Sequence, residues 1–304
     1  MQPHPFDRMR AERAAMMPRM LDLQAAWPEA VGLWIAGNEG VLYQTYPFML
    51  RGAYPSVDDE RVKTLSMGLW MLFESIFLSD KVVDGDAAEG GWPGETMLRV
   101  QAMQMEAYAR LHRLFPADSP FWARLRDAWT AYARTCLLER RLAEDPASVD
   151  RHNAVEVAAG KFPFSHLAVH GLAALSGDDT KTARLVKSLS HFDLVTCYWD
   201  DIRDWRKDLA ARAPSIARGF VLAAHPELGA AGEDDADAYG RALFGRGHAE
   251  EMLVIAIQHL RDGQAVVDGL GAESWVRMLA PLVTLFERKL AIVRARAGTR
   301  HAVA

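Results

Sequence analysis

Four aspartates fall within nine positions of the stretch DLVTCYWDDIRDWRKD, residues 193–208: Asp200, Asp201, Asp204 and Asp208. On a helix, Asp201, Asp204 and Asp208 share one face, with Asp200 close beside them. Aspartate is a poor helix former, and like charges three or four positions apart repel. A helix that carries this cluster therefore needs cations nearby. Arg203, Arg206 and Lys207 supply some of them as surface ion pairs in the simplest reading of the stretch.

A second stretch points to more than surface pairing. Residues 70–86, WMLFESIFLSDKVVDGD, place Asp80 and Asp84 at i, i+4, with Asp86 two positions on. The segment reads as a buried helix that runs into carboxylates and breaks at Gly85, Gly90, Gly91 and Pro93. Carboxylates at the C-terminal end of a helix face the negative pole of its dipole and weaken it. Two such clusters, about 120 residues apart, suggest a divalent-metal site shared between two helices.

The 304 residues are half hydrophobic, enough for one large core. Net charge is −5, and no basic block marks a nucleic-acid binder. A polyanionic substrate would need metal ions for the positive charge this composition lacks. Cys136 and Cys197 are too few for a disulfide framework or a zinc cluster. The opening MQPHPFDRMRAER lacks the apolar core of a signal peptide. No apolar run reaches the ~18 residues of a membrane span. The expectation is a soluble cytoplasmic protein without stable membrane insertion.

Helical periodicity runs through nearly every long segment, with no alternating strand pattern. The predicted helices cover 8–25, 29–44, 56–84, 94–114, 119–144, 152–176, 179–211, 234–262 and 270–297. This predicts an all-α chain, one domain over residues 1–304, built as a bundle of eight to ten helices.

Counting back from Asp80 and Asp84, the same helix face carries Phe77, Phe73 and Trp70, a carboxylate rim above an aromatic wall. Ordinary core packing accounts for such a stripe equally well. Behind the second cluster lie Cys197, Leu194 and Asp193; Cys197 has no evident activating histidine and reads as a small wall residue. Lys161, flanked by Gly160 and Pro163, opens an apolar helix, where its ammonium either binds an anion or snorkels to water. Arg151 precedes the same helix and either senses a phosphate or covers a surface. His166 and His170 have zinc spacing but no third ligand, and read as satisfied histidines.

The two aspartate clusters with Lys161 between them resemble the class I isoprenoid synthase superfamily. That group includes trans-prenyl diphosphate synthases, squalene/phytoene synthases and class I terpene cyclases. The similarity covers most of residues 50–210. Asp80-x-x-x-Asp84 resembles the first aspartate-rich motif, and Asp200-Asp201-x-x-Asp204 the second; Asp204 and Asp208 offer a DxxxD alternative. Lys161 resembles the diphosphate-binding lysine that precedes the second motif in chain-elongating enzymes. The chain also departs from the pattern. The first motif lacks the full DDxxD and its following arginine pair, and Arg51 is only a weak stand-in for the upstream basic signature. Cys197 and Tyr198 replace the Gln before the second motif, and the metal-binding NSE triad of bacterial cyclases is absent.

The resemblance implies helices around a central apolar cavity, Mg²⁺ as cofactor and a prenyl diphosphate as substrate. It implies Asp80, Asp84, Asp200, Asp201 and Asp204 as the catalytic, metal-binding carboxylates, joined at the metal by Asp208. Lys161 and Arg151 would meet the diphosphate. Trp70, Phe73, Phe77, Cys197 and Tyr198 would line the prenyl chain's pocket. Because the features for a second diphosphate are weak, the expected activity is a magnesium-dependent terpene synthase, a cyclase or diphosphate lyase ionising farnesyl or geranylgeranyl diphosphate. The alternatives are a prenyltransferase (chain-elongating, head-to-head or onto another acceptor) and a non-catalytic partner subunit of the same fold. No nucleic-acid partner is expected, and a homodimer is compatible with the sequence.

Overall fold

The computed structural model describes residues 40–83 and 93–301. The helix expected over 8–25, most of that over 29–44, and Asp84 with Asp86 lie outside the described residues. Among the described residues there are twelve α-helices and no strand, so the chain is all-α as its periodicity predicts. In order they are α1 (Gly40–Leu50), α2 (Asp59–Val83), α3 (Pro93–Leu111), α4 (Pro120–Glu144), α5 (Arg151–Gly160) and α6 (Leu167–Ser176). There follow α7 (Thr182–Arg203), α8 (Trp205–Ala210), α9 (Ile216–Ala224), α10 (Ala236–Gly240), α11 (His248–Val266) and α12 (Glu273–His301).

The described residues alone hold twelve helices, against eight to ten expected for the chain, because three long predicted segments break and α9 lies where no helix is expected. The 152–176 segment divides at residues 161–166, around Pro163, which cannot donate to a helical ladder. The 179–211 segment divides at Asp204, the N-cap of α8. The 234–262 segment divides at a π turn, Arg241–Gly245, followed by Gly247 at φ 86°, left-handed backbone that favours glycine.

The helices group into two compact units. The first draws, among the described residues, on 40–83, 93–124, 167–182 and 269–278. In it α2 begins with Asp58 accepting the Arg61 N–H at 2.9 Å and carries Asp59 and Glu60 in its first turn, both favourable at a helix N-terminus. Its apolar face buries Val62, Leu65, Leu69, Trp70, Leu72 and Phe73. Around that face α1 contributes Tyr46, Phe48 and Leu50, α3 contributes Val100, Met103 and Ala107, and α6 contributes Leu167, Val169 and Leu172. Phe115 and Phe121 stack with centroids 4.0 Å apart, and Tyr46 meets Trp275 edge-on at 5.7 Å.

The second unit draws on the described residues 125–166, 183–268 and 279–301. Here α7 buries Leu185, Leu189, Phe192, Val195 and Tyr198, and α11 buries Met252, Leu253, Ala256 and Leu260. A capping box starts α5: Asp150 accepts the Asn153 N–H at 2.8 Å while Asn153 Oδ1 accepts the Asp150 N–H at 2.9 Å. The short helix α9 packs directly on that start. A Cβ at Gly219 would come within 2.7 Å of the Asp150 carbonyl oxygen, so only glycine permits the approach.

Candidate active site

In the second unit α7 delivers Asp200 and Asp201, and α8 starts at Asp204 and carries Asp208. Hydrogen bonding continues through the break: the Asp204 N–H donates to the Asp200 carbonyl at 2.7 Å and the Asp208 N–H to the Asp204 carbonyl at 3.1 Å. The four side chains nevertheless separate into two pairs. Arg203 takes Asp200 and Asp204. Its Nη2 lies 3.1 Å from Asp200 Oδ1, and Nε and Nη2 fork onto the two Asp204 oxygens at 3.0 and 2.8 Å. Those hydrogen bonds hold the Asp204 carboxyl below its usual range.

Asp201 and Asp208 form the desolvated pair. Burial, then the charge of Asp208, pushes the Asp201 carboxyl up to about 8. Burial, then Asp204, pushes Asp208 up to about 6, opposed by Lys207, Lys161 and Arg218. Carboxylates that are crowded by like charge and partly withdrawn from water are oxygen donors suited to a divalent cation.

The partner of Asp201 is the start of α9. Its Oδ2 accepts the backbone N–H of Ile216, and the Ala217 N–H is directed at the same carboxylate. Ser215 caps the helix, its Oγ accepting the Arg218 N–H at 3.3 Å. Arg218 itself is 1% exposed, and its guanidinium donates to the carbonyls of Gly229 and Ala231, both at 3.4 Å. Burial draws its pKa down. The helical periodicity of the sequence leaves residues 212–233 without a helix and so misses both α9 and Arg218. The available signal is Ser215 standing directly before the apolar run IARGFVLAA, an N-cap pattern.

Lys161 is the C-cap of α5, and its Nζ pairs with Glu139 Oε1 at 2.6 Å. Its charge also acts on Asp208 and Cys197, which places it within electrostatic reach of the acidic pair. Arg151 is held by Glu251 through two hydrogen bonds, 2.7 and 3.2 Å, with its guanidinium 4.0 Å over the Phe220 ring. The Cys197 thiol lies 3.8 Å from the Ala158 carbonyl. Burial, then Asp201, Asp193 and Asp200, pushes it well above its ordinary value, as expected of a wall residue and not of a nucleophile. Tyr198 is buried edge-on to Phe220 at 6.4 Å, and Lys289 Nζ sits 3.5 Å over the Trp199 ring.

Two turns before Asp201, buried Asp193 accepts the Ser165 hydroxyl at 2.7 Å and lies 3.5 Å from His166 Nε2. His166 also meets Ser190 Oγ at 3.0 Å, a satisfied histidine as the sequence predicts. In the first unit, Asp80 occupies the last turn of α2 and is partly exposed. On the same helix Trp70 is fully buried with its indole N–H donating to Glu74 at 3.0 Å, Phe73 is buried and Phe77 half-buried. Among the described residues, no three His, Cys, Asp or Glu side chains converge closely enough to hold a metal ion by themselves. No described helix is long and apolar enough to cross a membrane.

No protein-family model and no curated protein matches the sequence. The fold does have solved relatives. The polyprenyl synthase of Caulobacter crescentus CB15, crystallised with calcium and isoprenyl diphosphate, superposes with a TM-score of 0.69 at 15% identity, over 93% of this chain and 98% of that one. The polyprenyl synthetase of Streptomyces coelicolor A3(2) gives 0.67 at 17% identity, over 79% and 84% of the two chains. The geranylgeranyl pyrophosphate synthetase of Pyrococcus horikoshii Ot3 gives 0.64 at 13% identity, over 92% and 97%.

These likenesses overturn the expectation of a terpene cyclase or diphosphate lyase, since the structures this chain resembles are prenyl synthases. The cyclase expectation rested on missing residue signatures. Such signatures turn over while a buried apolar pattern keeps the backbone unchanged. The chain has the all-helical fold of these polyprenyl and geranylgeranyl diphosphate synthases.

Proposed function

We propose that the chain is a divalent-metal-dependent prenyltransferase that ionises an allylic prenyl diphosphate and joins the prenyl group to a second isoprenoid or another acceptor. The observation that carries this reading is the desolvated pair Asp201 and Asp208 beside Lys161, within a prenyl-synthase fold. A site of this kind suits Mg²⁺, which typically joins one or two carboxylates to substrate phosphates and keeps several waters. Asp201 and Asp208 are the ligands that the second motif offers, with Asp200 and Asp204 beside them under the control of Arg203. Asp80 and Asp84 are the ligands that the first motif offers.

A divalent cation held by these carboxylates would supply the positive charge that offsets the diphosphate as the carbon–oxygen bond breaks. Lys161 exchanges Glu139 for the diphosphate and supplies a fixed positive charge where negative charge develops. Arg151, tied to Glu251, adds to that field and holds Phe220 against Tyr198. In the second unit Tyr198 and Cys197 are the wall residues that keep water from the cationic prenyl group, and aromatic faces stabilise it; Trp70, Phe73 and Phe77 are the wall residues that the first-motif helix offers.

The test is incubation with geranyl, farnesyl and geranylgeranyl diphosphates and Mg²⁺, with and without isopentenyl diphosphate. A longer prenyl diphosphate, formed only with the second substrate and lost in Asp80→Ala and Asp201→Ala, supports the reading. Pyrophosphate release without an acceptor, or no release at any chain length, refutes it.

A further inference from the structure

The start of α9 has an unusual account of its hydrogen bonds. The first turn of any helix presents N–H groups with no partner inside the helix. Here the third of them, on Arg218, goes to the Ser215 cap, and the Gly219 N–H closes the first helical bond to the Ser215 carbonyl at 3.1 Å. The first two, on Ile216 and Ala217, go to Asp201, fifteen and sixteen residues away and on another helix. A carboxylate is favoured there, since the N-terminal end of a helix carries partial positive charge.

We infer that the backbone N–H groups of Ile216 and Ala217 are positioning groups of the active site, holding the Asp201 carboxylate, through Oδ2 at Ile216, in one orientation toward a divalent cation. The inference rests on the reading of Asp201 as a metal-site carboxylate. The donors are rigid: Ile216 and Ala217 are fully buried, Phe220 anchors the next turn, and Gly219 is seated on the Asp150 carbonyl. A ligand carboxylate held in one orientation meets a cation at a set angle, which matches the strict octahedral demand of Mg²⁺. A missing N–H at position 216 frees the carboxylate to rotate, and partners of this kind alter metal affinity by roughly 10–100-fold.

Ile216→Pro removes that N–H and little else from the backbone. Proline is accepted at the first position of a helix, and Ser215, at φ −74° and ψ 157°, already has the extended conformation required before proline. Ile216→Ala truncates the same buried side chain and keeps the N–H. Both variants are expected to melt below wild type. The Ala variant should need Mg²⁺ within about twofold of wild type for half-maximal prenyl transfer, and the Pro variant about tenfold more. The KM for the allylic diphosphate at saturating Mg²⁺ should not differ between them. Equal Mg²⁺ requirements in the two variants overturn the inference.

Amide exchange on the wild-type protein tests the same point should the Pro variant not fold. Adding Mg²⁺ with pyrophosphate should slow exchange at Ile216 and Ala217 relative to Phe220. Unchanged or faster exchange there means the cation has drawn the carboxylate off α9, and overturns it. A wild-type chain without Mg²⁺-dependent prenyl transfer overturns the functional reading, and this inference with it.

Discussion

Lys161 Nζ lies 2.6 Å from Glu139 Oε1, so the lysine expected at the diphosphate rests on a carboxylate from α4. The two side chains are 38% and 30% exposed, and a pair this open contributes at most about 1 kcal/mol. A diphosphate, with its greater charge, displaces Glu139 readily. Lys161→Ala is therefore expected to raise the KM for the allylic diphosphate by roughly 10–100-fold, the value of a charge-assisted hydrogen bond. Glu139→Gln should lower that KM by up to about fivefold while moving stability by less than about 1 kcal/mol. Steady-state kinetics and thermal melting of both variants check the pair.

The raised carboxyls make stability depend on pH. Asp201, near 8 when folded against an ordinary 3.8, keeps its proton in the folded state after the unfolded chain has lost it. Asp208, near 6, does the same over a narrower range. Stability therefore falls as pH rises from about 4 to about 8 on account of these two groups. His191, His248 and His259 act oppositely, because burial lowers their pKa values and stability is lost as pH falls below about 6.5. Between pH 6.5 and 8 the carboxyls dominate. In EDTA the melting temperature should decline across that window, and Mg²⁺ should raise it more at pH 8 than at pH 6.5, since metal binding requires the deprotonated pair. Melting curves at four pH values, with and without Mg²⁺, give the answer; a flat metal-free profile would contradict the desolvated pair.

Arg218 is a buried cation in the first turn of a helix, against both burial and the dipole. Its compensation is the Asp208 charge and the carbonyls of Gly229 and Ala231. Arg218→Met leaves those groups uncompensated and should destabilise the chain by about 3–5 kcal/mol, as measured by urea unfolding. Arg218→Lys keeps the charge without the planar fork and should lose about half as much.

The Cys197 thiol is predicted to be inert. Burial and three neighbouring aspartates oppose its ionisation, so iodoacetamide at pH 8 should label it only upon unfolding. Cys197→Ala should retain prenyl transfer to within about threefold, the effect of a small wall change and not of a lost nucleophile. Mass spectrometry of the labelled folded protein decides the first point and kinetics the second.

Part of the site is legible in the sequence alone. Arg203 pairs with Asp200 and Asp204 as its spacing suggests, and the Lys161 charge reaches Asp208. The site's other half is not legible there. Residues 212–225 are short, contain Pro214 near their start and offer little more than two turns of periodicity, too few to stand out from a loop. Most of that segment is α9, which supplies Arg218 and the donors to Asp201. The cyclase expectation fails for a related reason: it weighs absent side chains, whereas a fold is carried by the pattern of buried apolar positions, and the fold here matches synthases at 13–17% identity.

By itself the sequence determined that this chain is helical nearly throughout and that two acidic clusters sit at helical spacing, because period and spacing are local properties of the chain. It also marked, with Pro163, one of the places where a long segment would be interrupted. Only the tertiary structure decided which aspartates serve which purpose. Asp200 and Asp204 are paired with Arg203, while Asp201 is seated on the start of α9 and Asp208 lies within electrostatic reach of Lys161 and Arg218. The four share a residue type and a helical repeat, so nothing local separates them. What separates them is the water each one loses when distant elements pack against it.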